Sequence, residues 1–318
     1  MRSLPGYARF AWATLAFTLF VILWGAFVRA TGSGAGCGSH WPLCNGEVVP
    51  HSPALATVIE FGHRLTSGAS LLLVVGLWWG ARSRFDPGSP VRRAAGWSLF
   101  FILTEALIGA GLVLFEYVAD DARVARGFWV SGHLVNTFLL VAAMTACAAW
   151  ASGWERISLR GQGVLGVLLL VALVGVLLLG MGGAVTALGD TLFPAATFAE
   201  AKAATFSDSA HLFVRLRIWH PTLAVVVGIV VLGASWLSVT ARPTPAVRGA
   251  ATGLVLLYAV EMLVGLLNVW WLAPVPLQLV HLLLADLVWI ALVLLCVAAL
   301  APAAERSVRR VVVAEGDA

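Results

Sequence analysis

Four histidines, His63, His133, His220 and His281, stand at matching places in the two halves of the chain, each in the first turns of an apolar segment long enough to cross a bilayer. Imidazole suits iron, and two axial imidazoles can hold one haem flat between two helices. The pattern predicts two haem irons, one between His63 and His133 and one between His220 and His281. A lone helical histidine is more often an interfacial or hydrogen-bonding group. Four in repeat register at one depth call for a shared explanation. His40, His51 and His211 fall in loop stretches with no repeat partner and read as surface residues.

The elements that must position these histidines are transmembrane helices. The 318 residues are 60% hydrophobic and 11% charged, with a mean hydropathy of +0.93, whereas soluble domains carry ~25% charged residues. Apolar stretches at 10–28, 57–80, 95–116, 128–150, 163–187, 218–240, 250–272 and 278–300 each meet the ~20 residues needed to span the hydrocarbon. The fold class is therefore an all-α integral membrane protein with eight spans. Arg2 and Arg9 give the first span some likeness to a signal peptide, but its apolar run exceeds the ~7–15 residues of such a core.

Basic residues set the orientation, because positive loops stay cytoplasmic. Thirteen arginines (2, 9, 82, 84, 92, 93, 156, 160, 242, 248, 306, 309 and 310) fall on one side, against Arg123, Arg126, Lys202, Arg215 and Arg217 on the other. Both termini are expected in the cytoplasm of a cell whose plasma membrane the chain crosses, with all four histidines within about two turns, ~10 Å, of the outer face. The net charge of +4 thus reflects topology, and no basic stripe of the kind that binds nucleic acid is present.

The third span reads TEALIGAGLVL around Glu105 and the seventh VEMLVGLLNVW around Glu261, each acid followed four residues later by a glycine. Spans 1–4 then match spans 5–8, giving two repeated four-helix bundles, an N-terminal half at 1–160 and a C-terminal half at 161–318. Glu105, Glu261 and Asp286 lie within spans and should turn inward, either along a proton path or as protonated acids hydrogen-bonded between helices. Cys147 and Cys296, deep in spans 4 and 8, read as packing residues.

The segment IEFGHRLTSG, 59–68, follows an outer loop reading RATGSGAGCGSHWPLCNG, 29–46, and the stretch GGAVTALGDTLFP, 182–194, enters the third outer loop. With His133, His220 and His281, these features resemble haem A synthases over essentially the whole chain. The resemblance implies oxidation of a methyl substituent of haem O to a formyl group by successive hydroxylations, giving haem A for terminal cytochrome oxidases. It assigns the substrate haem to His63 and His133 and a haem b cofactor to His220 and His281. It also brings haem O, a haem O synthase and an electron acceptor of unknown identity as partners, beside membrane lipid. The third outer loop, 188–217, departs from the pattern in lacking the second cysteine pair that some relatives carry.

Glu60, three residues before His63, is the catalytic candidate, because oxidising a methyl group releases protons that a nearby carboxylate can accept. Arg217 occupies the corresponding place before His220. The alternative is that Glu60 only bonds Arg64 or a loop amide. Arg64 and Arg217 are candidates for haem propionate contacts, or for interfacial snorkelling. Cys37 and Cys44 share an outer loop and should form a disulfide, either a structural clip or a redox-active pair. The rival function is a di-haem b-type electron-transfer protein. A transporter fits the repeat but gives no reason for the histidines.

Overall fold

Long uninterrupted apolar runs can satisfy their backbone groups in lipid only as helices, and that is what the chain builds. A computed structural model describes residues 5–302. Arg2, Arg306, Arg309 and Arg310, used above to argue orientation, lie outside the described residues. The helices are α1 (Pro5–Ala30), α2 (Leu55–Arg84), α3 (Pro90–Leu114), α4 (Val124–Ala151), α5 (Gly163–Leu192), α6 (Phe198–Thr205), α7 (Leu212–Arg215), α8 (Trp219–Ala241), α9 (Pro245–Trp270) and α10 (Val275–Ala299). Among the described residues eight helical segments are long and apolar enough to cross a membrane, the sixth running from Leu212 through α7 and a 3₁₀ turn into α8.

The helix starts follow from local chemistry. Ser89 Oγ accepts from the Val91 amide at 3.2 Å and Thr244 Oγ1 from the Val247 amide at 3.3 Å, each with a proline in the first turn of α3 or α9. The connection between the fifth and sixth spans holds structure that apolar runs could not reveal. Leu188–Leu192 continues α5, and the short α6 starts at Thr197, whose hydroxyl accepts from Glu200 N while Glu200 Oε2 accepts from Ala196 N.

In the N-terminal half α1 packs on α2, α2 on α3, α3 on α4 and α4 back on α1, so α2 and α4 face each other diagonally. The C-terminal half joins α5 to α8, α8 to α9, α9 to α10 and α10 to α5, leaving α8 and α10 diagonal. Contacts of α4 with α5 and α10, and of α1 with α10, form the seam between the halves. At that seam Phe138 stacks on Trp289 with ring centroids 5.3 Å apart, and Trp289 Nε1 donates to the Phe138 carbonyl at 2.6 Å. Both side chains are buried.

Candidate functional site

The four histidines come from the diagonal helices, α2 and α4 in one half, α8 and α10 in the other. Each ring lies against a glycine of a flanking helix. A Cβ on Gly25 would meet His63 Cε1 at 2.9 Å, on Gly183 His220 Cε1 at 3.0 Å, on Gly265 His281 Cε1 at 3.1 Å and on Gly109 His133 Cε1 at 3.8 Å. At Gly25 a methyl group could fit only if something shifted, and at Gly183 and Gly265 it would be crowded, so small residues let these rings lie close against the helix wall. The imidazoles of His220 and His281 have centroids 6.2 Å apart. One iron held by both imidazoles would need ring centroids about 6 Å apart, two Fe–N bonds of ~2 Å plus the depth of each ring, and this pair stands near that distance.

Two of the rings meet carboxylates. Glu105 Oε1 of α3 lies 3.1 Å from His133 Nδ1, and Glu261 Oε1 of α9 lies 3.0 Å from His281 Nδ1. Both approaches are off the ring N–H axis, and neither nitrogen makes an aligned hydrogen bond. A proton on Nδ1 facing the carboxylate would leave Nε2 of each ring free to act as a ligand. The surroundings of the two acids differ. Glu105 accepts from Asn136 Nδ2 at 2.6 Å and from the Thr137 hydroxyl, while Glu261 Oε2 is buried without a partner among the described residues. Among the described residues no carboxylate pairs with His63 or His220, and their buried Nδ1 atoms are likewise unpartnered. Four imidazoles on apolar helices, one pair with ring centroids 6.2 Å apart and two with Nδ1 facing a carboxylate, are a donor set that fits bis-histidine haem through Nε2.

Glu60 is buried near the start of α2. Its Oε1 accepts from Arg64 Nε at 3.2 Å and Nη2 at 2.5 Å, and its Oε2 accepts from the Cys37 amide at 2.8 Å. Both bonds weighed from sequence as the structural alternative are therefore formed. Arg64 also donates through Nη1 to the carbonyls of His40 and Leu43, at 2.7 and 2.6 Å, so one arginine ties helix, carboxylate and loop together. Cys37 and Cys44 form a disulfide, and both are fully buried rather than exposed. Gly36 presses so closely on α2 that a Cβ there would lie 2.5 Å from the Ala56 carbonyl oxygen. The loop is thus clamped onto the helix that carries His63.

Arg217 plays a parallel part in the other half, with Nε 2.7 Å from Asp190 Oδ1 and Nη2 donating to the carbonyls of Gly189 and Phe193. His211, expected as a surface residue, is half-buried: it stacks on Phe193 at 4.8 Å and caps α7 by accepting from the Phe213 amide. His40 and His51 are exposed, as expected. Cys147 and Cys296 are free and buried, and Asp286 is fully buried with both carboxyl oxygens unpartnered among the described residues.

Residues 8–293 match the family described as cytochrome oxidase assembly protein. The chain belongs to that family. Over 315 residues, 98% of its length, it is 48% identical to the protohaem IX farnesyltransferases of two strains of Thermus thermophilus. It spans about half the length of those curated relatives, 51%. A haem A synthase of Alkalihalophilus pseudofirmus is 41% identical over 126 residues, 39% of this chain and 41% of that protein. The resemblance to haem A synthases read from the motifs thus agrees with the family match.

The sequence reading omitted Glu105 and Glu261 from the site, although the signal was present. Each acid is followed four residues later by the glycine that faces the same histidine its carboxylate meets. The repeat had aligned these two Glu-x-x-x-Gly motifs, and adding the histidines of the adjoining helices would have completed both sets.

Proposed function

We propose that this family member is a haem A synthase of the plasma membrane, oxidising a methyl substituent of haem O to a formyl group. Its N-terminal half, 1–160, takes the substrate haem through His63 and His133, and its C-terminal half, 161–318, takes haem b through His220 and His281. The halves are repeated four-helix bundles, both termini are cytoplasmic, and the haem sites lie toward the outer face. The observation that carries this reading is the pairing of histidines across each bundle against facing glycines, with the His220–His281 separation suited to one iron. Haem b supplies one-electron redox chemistry when bound.

The overall change, methyl plus water to formyl, releases four electrons and four protons, and the electrons pass to an acceptor outside this chain. Glu60 is the proton acceptor of this scheme. Both of its oxygens are engaged by Arg64 and the Cys37 amide. Oε1 accepts twice from Arg64 and Oε2 once from the Cys37 amide, so the second lone pair of Oε2 is the one open to a proton, which links the chemistry to the seat of the disulfide loop. That link suits either a structural or a redox-active Cys37–Cys44 pair. Arg64 and Arg217 hold the loops over each haem; a propionate contact requires them to share donors now given to carboxylates and carbonyls. Supply of substrate by a haem O synthase is supported by the Thermus relatives, named for farnesyl transfer to protohaem and about twice as long as the region they share with this chain.

The test is haem extraction and chromatography from cells expressing this chain with a haem O-producing enzyme, beside cells lacking the chain. Haem A is the expected product. Recovery of haem B and haem O alone, with the protein assembled, would overturn the synthase reading in favour of a di-haem electron carrier.

A further inference from the structure

The seam between the halves holds a concentration of positive charge that the site described above does not use. Arg29, at the end of α1, crosses into the C-terminal half: Nη1 donates to the Ala187 carbonyl at 2.8 Å and Thr191 Oγ1 at 2.7 Å, and Nη2 to Gln278 Oε1 at 3.0 Å. All of these acceptors are neutral. Arg29 lies one helical turn beyond Gly25, which faces His63. Ala187 lies one turn beyond Gly183, which faces His220, and Gln278 precedes His281 by three residues on α10. A single guanidinium thus stands one turn from ligands of both haem sites, on the side toward the disulfide loop.

Arg126 is a second buried arginine, on α4, which packs against α1. It is 3% exposed, in the first turn of α4, two turns before His133 and on the same face. Its Nη1 donates to the carbonyls of Ala119 and Asp121, both at 2.7 Å, and its Nε is buried without a partner among the described residues. Of the nearby carboxylates, Asp190 pairs with Arg217 at 2.7 Å and Asp121 Oδ1 with Arg123 at 2.6 Å, while Asp121 Oδ2 is buried without a partner among the described residues and no bond joins it to Arg126. Burying two cations with only neutral acceptors is unfavourable unless an anion completes the site. Arg64 and Arg217, the arginines singled out by sequence, already have their carboxylates in Glu60 and Asp190.

We propose that Arg29 and Arg126 form a carboxylate-binding seam that receives propionates from the haems of both halves. The inference rests on the haem reading given above. A propionate is the anion a haem carries on its edge, and a charge-assisted bond to Arg126 would engage a donor that otherwise stays unmet. Arg29 then links the two haem edges through one side chain, fixing their relative orientation.

The full-length protein in detergent is titrated with ferric haem b and with its dimethyl ester, which keeps the ring and iron but lacks the carboxylates. The expected result is binding of the free acid about tenfold or more tighter than the ester, as for hydrogen bonds to charged groups. Arg29→Gln and Arg126→Gln should bring that ratio toward one while the low-spin bis-histidine spectrum persists, and Arg126→Lys, which keeps the charge, should retain most of it. Wild-type discrimination in both glutamine variants, or none in the wild type, would overturn the seam. Failure of the wild type to give a low-spin spectrum with either ligand would overturn the haem reading beneath it.

Discussion

Glu60 stands where two readings of one side chain meet, since its oxygens bond both Arg64 and the Cys37 amide and it lies one turn from His63. Glu60→Gln separates them. The amide keeps an acceptor for Cys37 N–H but loses the charge facing Arg64, so the loop stays seated while proton acceptance ends. Haem content should hold near wild type and haem A formation should stop, as read by haem extraction and chromatography; full activity in that variant removes the catalytic role. At the histidines, the proposed haem b site predicts that His220→Ala abolishes haem b retention, read as loss of its spectrum from purified protein. Unchanged cofactor content there would sink the assignment of halves. The carboxylates behind the ligands have a graded effect, because an outer partner tunes and orients the metal ligand without holding the metal. Glu105→Gln and Glu261→Gln should each weaken haem retention about tenfold or more. The two need not be equal, since Glu105 is fixed by Asn136 and Thr137 while Glu261 has one oxygen unpartnered among the described residues.

At the scale of helices, what the sequence made legible was periodic or chemically rare. Apolar runs marked all eight spans to within a few residues at most ends, and the histidines announced themselves because so few occur in such segments. The glycines facing them were not legible in the same way. Among 32 glycines, the role of any one depends on which helix lies opposite, and that is a tertiary fact. Their importance can be tested by contrast within the repeat. Gly25→Ala places a methyl carbon 2.9 Å from His63 Cε1 and must displace the ring or the helix, whereas Gly109→Ala meets His133 at 3.8 Å, an ordinary contact. The first should perturb or abolish the spectrum of the haem held by His63 and His133, and the second should leave it nearly unchanged. Equal effects from the two substitutions would mean that the glycines do not set the ring positions. The clamp of the disulfide loop was half legible: the cysteine pair could be read, but the seating of Gly36 on the Ala56 backbone required the fold.

The whole molecule adds the seam, which no motif within either half could specify. The internal repeat suggested two bundles, yet repeat register says nothing about which faces of the bundles meet. α4 and α10 became the most buried spans because both sit at that junction, and their share of buried residues is a consequence of docking rather than of higher hydropathy. At its centre Trp289 supplies both an aromatic stack on Phe138 and a donor to the Phe138 carbonyl. Truncating such a residue loses its contacts and leaves a cavity that rigid helices collapse onto only partly. Trp289→Ala should therefore destabilise the protein by about 3–5 kcal/mol, measured as a lowered midpoint of thermal unfolding in detergent. Trp289→Phe keeps a ring against Phe138 and gives up the hydrogen bond, so most of that loss should be recovered. Because the seam also carries Arg29 between the two sets of histidine ligands, the alanine variant should loosen haem in both halves together. Loss confined to one half would mean that the bundles hold their haems independently and that the seam only joins them.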